Sequence, residues 1–127
     1  MQYLLDTHTL IWYLEDSSRL PKKSKALIDD PNNSICVSTA SLWEMTIKTS
    51  LGKLELALNL GELFIIIANS DFDILQIEHE YLLILLNLPL IHKDPFDRLL
   101  IATAISEGLT IISGDENIHK YKNPWIW

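Results

Sequence analysis

The fold is decided by the first residues of the chain, the stretch Gln2-Tyr3-Leu4-Leu5-Asp6-Thr7-His8. Its apolar run, residues 3–5, has the length of a strand that is buried on both faces. After Thr7 the period of apolar residues becomes helical, with Leu10, Ile11 and Leu14 on one side. The stretch therefore predicts a central strand that leads directly into a helix. Ligands of open α/β sheets bind outside the carboxyl ends of the strands, so Asp6 is the first candidate functional residue.

The composition indicates one ordinary globular domain. A length of 127 residues suits a single domain, and 48% hydrophobic with 21% charged residues excludes a disordered tail. The single cysteine, Cys36, excludes an internal disulfide and fits a reducing compartment. No basic segment precedes a long apolar stretch, and the apolar runs are too short to span a bilayer. We therefore expect a cytoplasmic protein without a signal peptide or a membrane contact.

The net charge of −7 argues against nonspecific binding of nucleic acid, which usually depends on a basic face. The charge does not exclude an enzyme whose acidic residues are neutralised by a bound metal ion. The most basic stretch contains Arg19, Lys22, Lys23 and Lys25. It is either a solvated helix face or a patch for substrate phosphates.

Strand patterns alternate with helix patterns along the rest of the chain. We predict further strands at residues 35–37, 72–77 and 109–112, and an edge strand at residues 124–127. Helices are predicted at residues 39–51, 59–68, 78–87 and 94–107, the last ending at Gly108. This alternation indicates one α/β domain over residues 1–127 with a mainly parallel sheet.

The helical patterns also predict which side chains face inwards. In the helix at residues 39–51 the expected inner side consists of Ala40, Trp43, Ile47 and Leu51. In the helix at residues 94–107 it consists of Leu100, Ile101, Ala104 and Ile105. The segment at residues 63–68 is apolar all round, so it must be covered on several sides by the core or by another subunit.

Four acidic residues occupy suggestive positions. Asp6 and Asp115 each follow a strand, Glu44 lies in a helix after another strand, and Asp97 lies in the first turn of a helix. Each alone has a structural explanation, because acids cap helices and Glu44 has ion-pair spacing to Lys48. If they converge, two carboxylates about 5 Å apart repel by ~3 kcal/mol at an effective dielectric near 20. Such a cluster needs a cation, and oxygen ligands favour Mg²⁺ or Mn²⁺.

Other polar residues have two interpretations each. Thr7 and Ser113 either hydrogen-bond the candidate carboxylates or cap turns. His8 and His92 are candidates for substrate contact, and Arg98 and Lys48 either meet phosphate or pair with acids. Asp94 competes with Asp97 as a ligand, but its place before Pro95 makes it the better helix cap.

Several motifs resemble those of PIN-domain proteins, and most closely those of VapC-type toxins from bacterial toxin–antitoxin pairs. The motifs are Leu5-Asp6-Thr7-His8, Ser41-Leu42-Trp43-Glu44, Lys48 with Gly52-Lys53-Leu54, His92-Lys93-Asp94-Pro95-Phe96-Asp97-Arg98-Leu99-Leu100-Ile101-Ala102 and Ser113-Gly114-Asp115. They cover nearly the whole chain in the family order, and the segment from His92 to Arg98 is the most specific.

The resemblance implies a small parallel sheet with helices on both sides and a metal-dependent endoribonuclease. Carried over by motif, the acids that bind Mg²⁺ or Mn²⁺ are Asp6, Glu44, Asp97 and Asp115. Metal-activated water then hydrolyses an RNA phosphodiester bond. The resemblance also implies a homodimer and a cognate antitoxin that covers or enters the site.

Two other classes of protein remain open. A phosphoacceptor receiver domain also gathers acids at strand ends, but it needs an acidic pair after the first strand, where this chain has Asp6 alone. A PIN-like binding module without activity would share the motifs, and the complete acidic set argues against it. A metal titration with an RNA cleavage assay separates these classes.

Overall fold

The sheet is built around the amino-terminal strand. The computed structural model describes residues 1–127. Its five strands are β1 (Gln2–Leu5), β2 (Ser34–Ser38), β3 (Asp73–Leu75), β4 (Thr110–Ile112) and β5 (Trp125–Ile126). They form one sheet in the order β3-β2-β1-β4-β5, and every pair of neighbours is parallel. The predicted central position of β1 is therefore confirmed.

Helices cover both faces of this sheet. They are α1 (Thr7–Leu14), α2 (Lys22–Asp29), α3 (Thr39–Ser50), α4 (Leu60–Ala68), α5 (His79–Asn87), α6 (Pro95–Glu107) and α7 (Glu116–His119). Side chains of a strand alternate between faces, so Tyr3 and Leu5 join one buried cluster and Leu4 another. The first cluster includes Leu63 of α4, and the second includes Leu100 of α6. The α/β class with helices on both sides is thus confirmed.

Helix α6 is the best-marked element of the chain. The side chain of Asp94 caps its first turn, Pro95 begins it, and Gly108 ends it in the left-handed conformation at φ 67°. At 13 residues α6 is also the longest helix. No helix of the protein is both long and apolar enough to cross a membrane.

Three predicted inner side chains are in fact exposed, so their assignment was wrong. Trp43 is 55% exposed, Leu51 61% and Ile105 45%. On α3 the buried side instead carries Ala40, Ser41, Glu44 and Met45. Apolar residues lie on two sides of α3, so their spacing alone does not predict which side is buried. Buried hydrogen bonds between α3 and α1 decide it.

Strand β3 is shorter than the predicted residues 72–77. As an edge strand it pairs only with β2, from Cys36↔Asp73 to Ser38↔Leu75. Strand β2 ends there because Ser38 becomes the cap of α3. Beyond Leu75 the chain therefore has no strand to pair with.

Helix α4 is covered on one side only. Leu63 and Ile67 are buried, whereas Ile65 is 63% and Ile66 41% exposed. The core thus covers part of the all-round apolar segment, and the remainder stays uncovered within one chain.

Leu100 tests the packing of α6 against the sheet. It is fully buried, so Leu100→Ala should lower the free energy of unfolding by about 2–5 kcal/mol. Urea denaturation measures the change. Leu51→Ala is the control, since this leucine is 61% exposed and should change stability by no more than about 0.5 kcal/mol. Equal effects of the two substitutions would contradict the packing.

Candidate active site

Three of the four candidate carboxylates stand on segments that follow strands of the sheet, and the fourth lies at the start of α6. Asp6 follows β1 directly, and Asp115 stands between β4 and α7, whose first turn it caps. Glu44 lies on α3, which begins where β2 ends, and Asp97 lies in the first turn of α6. Carboxyl ends of parallel strands meet at one edge, which is where such folds bind ligands.

Asp6 is a buried carboxylate with two protein partners. Its Oδ1 accepts a hydrogen bond from the Thr9 amide at 2.7 Å, and its Oδ2 accepts one from the Ser113 hydroxyl. Burial raises the pKa of Asp6, and these hydrogen bonds act in the opposite direction. A carboxylate has about four lone-pair sites, so Asp6 keeps acceptor capacity for a cation.

Ser113 connects Asp6 to the segment that carries Asp115. Besides donating to Asp6, its hydroxyl oxygen accepts a hydrogen bond from the Asp115 amide at 3.0 Å. The Asp115 carboxylate accepts from the Asn117 amide at 2.8 Å. Asp6 and Asp115 line the same open cleft of about 330 Å³.

Glu44 is held by a chain of buried polar groups. The Thr7 hydroxyl donates its only proton to Glu44 Oε1 at 2.6 Å. The Ser41 hydroxyl is therefore the donor in the 3.1 Å hydrogen bond between Ser41 and Thr7. On the other side Lys48 Nζ lies 2.7 Å from Glu44 Oε2. This hydrogen bond raises the pKa of Lys48, and burial opposes the rise. Glu44 is only 3% exposed, so its pair with Lys48 is not the surface ion pair that the spacing alone suggests.

Asp97 faces His92 and the other acids. His92 Nε2 lies 2.9 Å from Asp97 Oδ2. The pKa of Asp97 is raised to about 7, mainly by burial and also by the charges of Asp94, Glu44 and Asp115, while the hydrogen bond with His92 acts in the opposite direction. The metal-free site thus carries crowded like charges.

Asp94 and Asp97 differ in what their carboxylates do. Asp94 Oδ1 accepts hydrogen bonds from the amides of Phe96 at 2.9 Å and Asp97 at 3.1 Å. Asp97 does not return a hydrogen bond to the Asp94 amide, so the pair is not a capping box. Candidate ligand atoms of Asp94, Asp97 and His92 lie within 4.8 Å of one another. The geometry therefore assigns the helix cap to Asp94, and each of the three side chains still offers an atom that could bind a metal ion.

The remaining candidates are divided. Arg98 points away from the acids: its guanidinium donates to the carbonyls of Pro89 at 2.8 Å and Leu88 at 3.3 Å, and to the Tyr121 hydroxyl at 3.1 Å. It braces the loop before α6 and forms no ion pair with an acid. His8, by contrast, is exposed on the wall of the cleft.

Sequence reasoning did not identify the His92–Asp97 contact, the Ser41 hydroxyl or the cleft residue Trp12, and it favoured the core or an interface over base stacking for Trp127. Arg19, which belongs to the basic stretch noted in the sequence, also lines the cleft. Ser41 carried a signal, since it lies one helical turn before Glu44 and shares its face. The places of Trp12 and Trp127 depend on contacts between distant segments, whereas His92 and Asp97 are only five positions apart.

The donor set fits a divalent cation. Asp6, Glu44, Asp97 and Asp115 offer only oxygen, the ligand type that Mg²⁺ and Mn²⁺ prefer. Lys48 is the only lysine or arginine that forms an ion pair with any of them. The excess negative charge is the condition that a bound cation would relieve.

Asp97→Asn tests this electrostatic account. The pKa of Asp97 is about 7 when folded and about 4 when unfolded, so the folded state binds more protons between those values. Its contribution to the free energy of unfolding therefore falls as pH rises through that window. Without metal at pH 8, Asp97→Asn should raise Tm, by about 2–8 °C for each kcal/mol gained, and the gain should vanish near pH 4. Thermal melts with EDTA measure it.

Asn59→Ala is the matched control, because it removes the uncharged cap of α4 and should lower stability by about 1 kcal/mol at either pH. A destabilised Asp97→Asn protein at pH 8 would contradict the crowding of charges.

Comparison with known proteins agrees with this fold. The family model described as PIN domain matches residues 3–124. No curated protein sequence matches the chain closely enough to count as a relative.

Solved structures share the architecture at low sequence identity. A chain of VapBC2 from Rickettsia felis, solved with a promoter DNA fragment, gives a TM-score of 0.76 at 17% identity and covers 100% of this chain and 99% of that chain. A toxin–antitoxin complex from Klebsiella pneumoniae gives 0.65 at 22%, with 98% and 96% covered. VapC20 from Mycobacterium tuberculosis, described as a sarcin-ricin loop cleaving toxin, gives 0.63 at 12%, with 94% and 95% covered. Because the family model spans nearly the whole sequence, the chain belongs to the PIN-domain family.

Proposed function

We propose that this protein is an Mg²⁺- or Mn²⁺-dependent endoribonuclease and the toxin of a type II toxin–antitoxin pair. The observation that carries the proposal is the proximity of four carboxylates: Asp6 and Asp115 line one cleft, and the charges of Glu44 and Asp115 raise the pKa of Asp97. The similar structures support it, since one is described as a sarcin-ricin loop cleaving toxin and another as a toxin–antitoxin complex.

The four carboxylates would hold the metal ion. A bound Mg²⁺ or Mn²⁺ supplies water with a lowered pKa and neutralises charge on phosphoryl oxygens. The contribution of the chain is to hold ligand oxygens in place before substrate arrives. Ser113 orients Asp6, Thr7 orients Glu44, and His92 orients Asp97.

A cognate antitoxin is the proposed protein partner. Its simplest mode of inhibition is to cover the cleft at Asp6 and Asp115, which is open to solvent. A PIN-like binding module without activity is the competing function, and it would bind partners with no metal requirement.

Cleavage should depend on metal and on Glu44. EDTA should abolish cleavage of RNA, and added Mg²⁺ or Mn²⁺ should restore it. Loss of a residue that only orients a metal ligand typically lowers activity about 10–100-fold. Because Glu44 is itself a proposed ligand, Glu44→Gln should lower kcat by more than that. Glu80→Gln is the control, because Glu80 is exposed on α5 and does not line the cleft. Gel-based cleavage of labelled RNA measures both effects. Undiminished activity in EDTA, or in Glu44→Gln, would refute the proposed mechanism.

The exposed apolar residues near β3 support a homodimer. Edge strand β3 lies between α4 and α5 in the chain, and these helices expose Ile65 to 63%, Leu83 to 64% and Leu86 to 77%. Exposed large apolar side chains in such number are typical of protein interfaces. We propose that two copies of the chain cover it mutually.

Light scattering should therefore give twice the chain mass of 14.6 kDa. Ile65→Glu and Leu83→Glu should each yield monomers, because a charge would be buried without a partner. Leu51→Glu is the control, since Leu51 is 61% exposed at the end of α3. A wild-type monomer at micromolar concentration, without antitoxin, would contradict the dimer.

A further inference from the structure

The cleft at Asp6 and Asp115 has a second wall of different chemistry. The two carboxylates form one side, and the other side consists of His8, Trp12, Arg19, Gly114 and Trp127. The proposed metal chemistry uses none of these five residues.

Three aromatic rings form a row along this wall. The ring centroids of His8 and Trp12 are 5.7 Å apart, and those of Trp12 and Trp127 are 5.9 Å apart. The rings are inclined by 46° and 50°, so none of them covers the face of its neighbour. Both tryptophans are only partly buried. Aromatic faces exposed in a cleft are stacking platforms for nucleic-acid bases.

Trp127 has a fixed position relative to the acids. Strand β5 is held to β4 by the hydrogen bond from the Ser113 amide to the Ile126 carbonyl, 3.1 Å long. Beyond it the Trp127 ring lies so close to Gly114 that a Cβ there would come within 2.5 Å of the ring. Gly114 stands between Ser113 and Asp115, so a base stacked on Trp127 would have a defined distance from the acidic site.

Arg19 is the cation of this wall. It is exposed between α1 and α2, and its side chain forms no ion pair. Of the other cations of this basic stretch, Lys25 pairs with Asp29, and Lys22 and Lys23 do not line the cleft. A free guanidinium recognises phosphate through its planar fork of donors.

We propose that this wall binds one nucleotide of the RNA, adjacent to the bond that is cut. The base stacks on Trp12 and Trp127, His8 extends the platform, and Arg19 binds a phosphate. The inference rests on the proposed function, for which it names a substrate subsite. A nucleotide is favoured over an acidic peptide because it carries both a flat ring and an anionic group.

Indole N–H signals provide a direct test. The chain has four tryptophans, which give four signals assignable with single Trp→Phe variants. Nucleoside monophosphates should shift the signals of Trp12 and Trp127 and leave those of Trp43 and Trp125 in place, in EDTA or with Ca²⁺ in the acidic site. Inorganic phosphate should shift neither pair to a comparable extent. If no nucleotide moves Trp12 or Trp127 under either condition, the inference is wrong. Shifts there with oligo-arginine but not with nucleotides would overturn it in favour of a protein partner.

Binding of labelled single-stranded RNA of mixed sequence, measured by anisotropy in EDTA, is a second test. Trp127→Ala should weaken binding about tenfold, and Trp127→Phe should retain most of the affinity. Trp125→Ala is the matched control, because Trp125 stacks on His119 and does not line the cleft. Equal losses from Trp127→Ala and Trp125→Ala would contradict the subsite.

Arg19→Gln should reduce the magnitude of the slope of log K against log salt by about 0.7, the value for one contact to a single strand. Lys23→Gln removes a charge from the same basic stretch outside the cleft and should leave the slope unchanged. An unchanged slope for Arg19→Gln would remove Arg19 from the subsite.

The proposed ribonuclease function and the proposed nucleotide subsite can each be refuted without the other. Nucleotide binding at Trp12 and Trp127 in a protein that never cuts RNA would refute the proposed function and leave the cleft as a nucleotide site. Cleavage whose KM is the same in wild type, Trp127→Ala and Arg19→Gln would retain the function and refute the subsite.

Discussion

The buried carboxylate of Asp6 is the constraint on which the rest of the site depends. A charge taken out of water costs several kcal/mol unless hydrogen bonds or a counter-charge replace the solvent. In this protein the Thr9 amide and the Ser113 hydroxyl donate hydrogen bonds that replace part of the lost hydration of the Asp6 carboxylate. Ser113 can do so only because β4 pairs beside β1, with Leu5 opposite Ile112. The crossover connection that brings β4 next to β1 is therefore as necessary to the site as Asp6 itself.

The crowded acids are held in place by parts of the molecule that do no chemistry. The cap from Asp94 fixes the first turn of α6, and Arg98 ties the preceding loop through the Leu88 and Pro89 carbonyls. This scaffold holds Asp97 where burial and neighbouring charges raise its pKa to about 7. Under the proposed function, the metal-free protein is less stable because of this crowding, a common cost of function.

Much of the fold could be predicted from patterns within short segments. The strand at residues 3–5, the alternation of strands and helices, and the α6 boundaries at Asp94 and Gly108 all follow from periodicity and capping. The predictions were wrong where the apolar spacing fitted two sides of a helix, or where a predicted strand had no neighbouring strand to pair with. Helix α3 is rotated by buried polar contacts of Ser41 and Glu44, and β3 stops where β2 no longer offers a partner.

For the site, the sequence by itself determined which oxygen donors stand after which strands, because a strand end and a helix cap are local features. The tertiary structure alone decided their partners. Thr7 meets Glu44 across 37 positions of the chain, Ser113 meets Asp6 across 107, and Trp127 lies against Gly114. Such contacts leave no periodic signal in the sequence, since they depend on how the crossovers pack separate segments at one edge of the sheet.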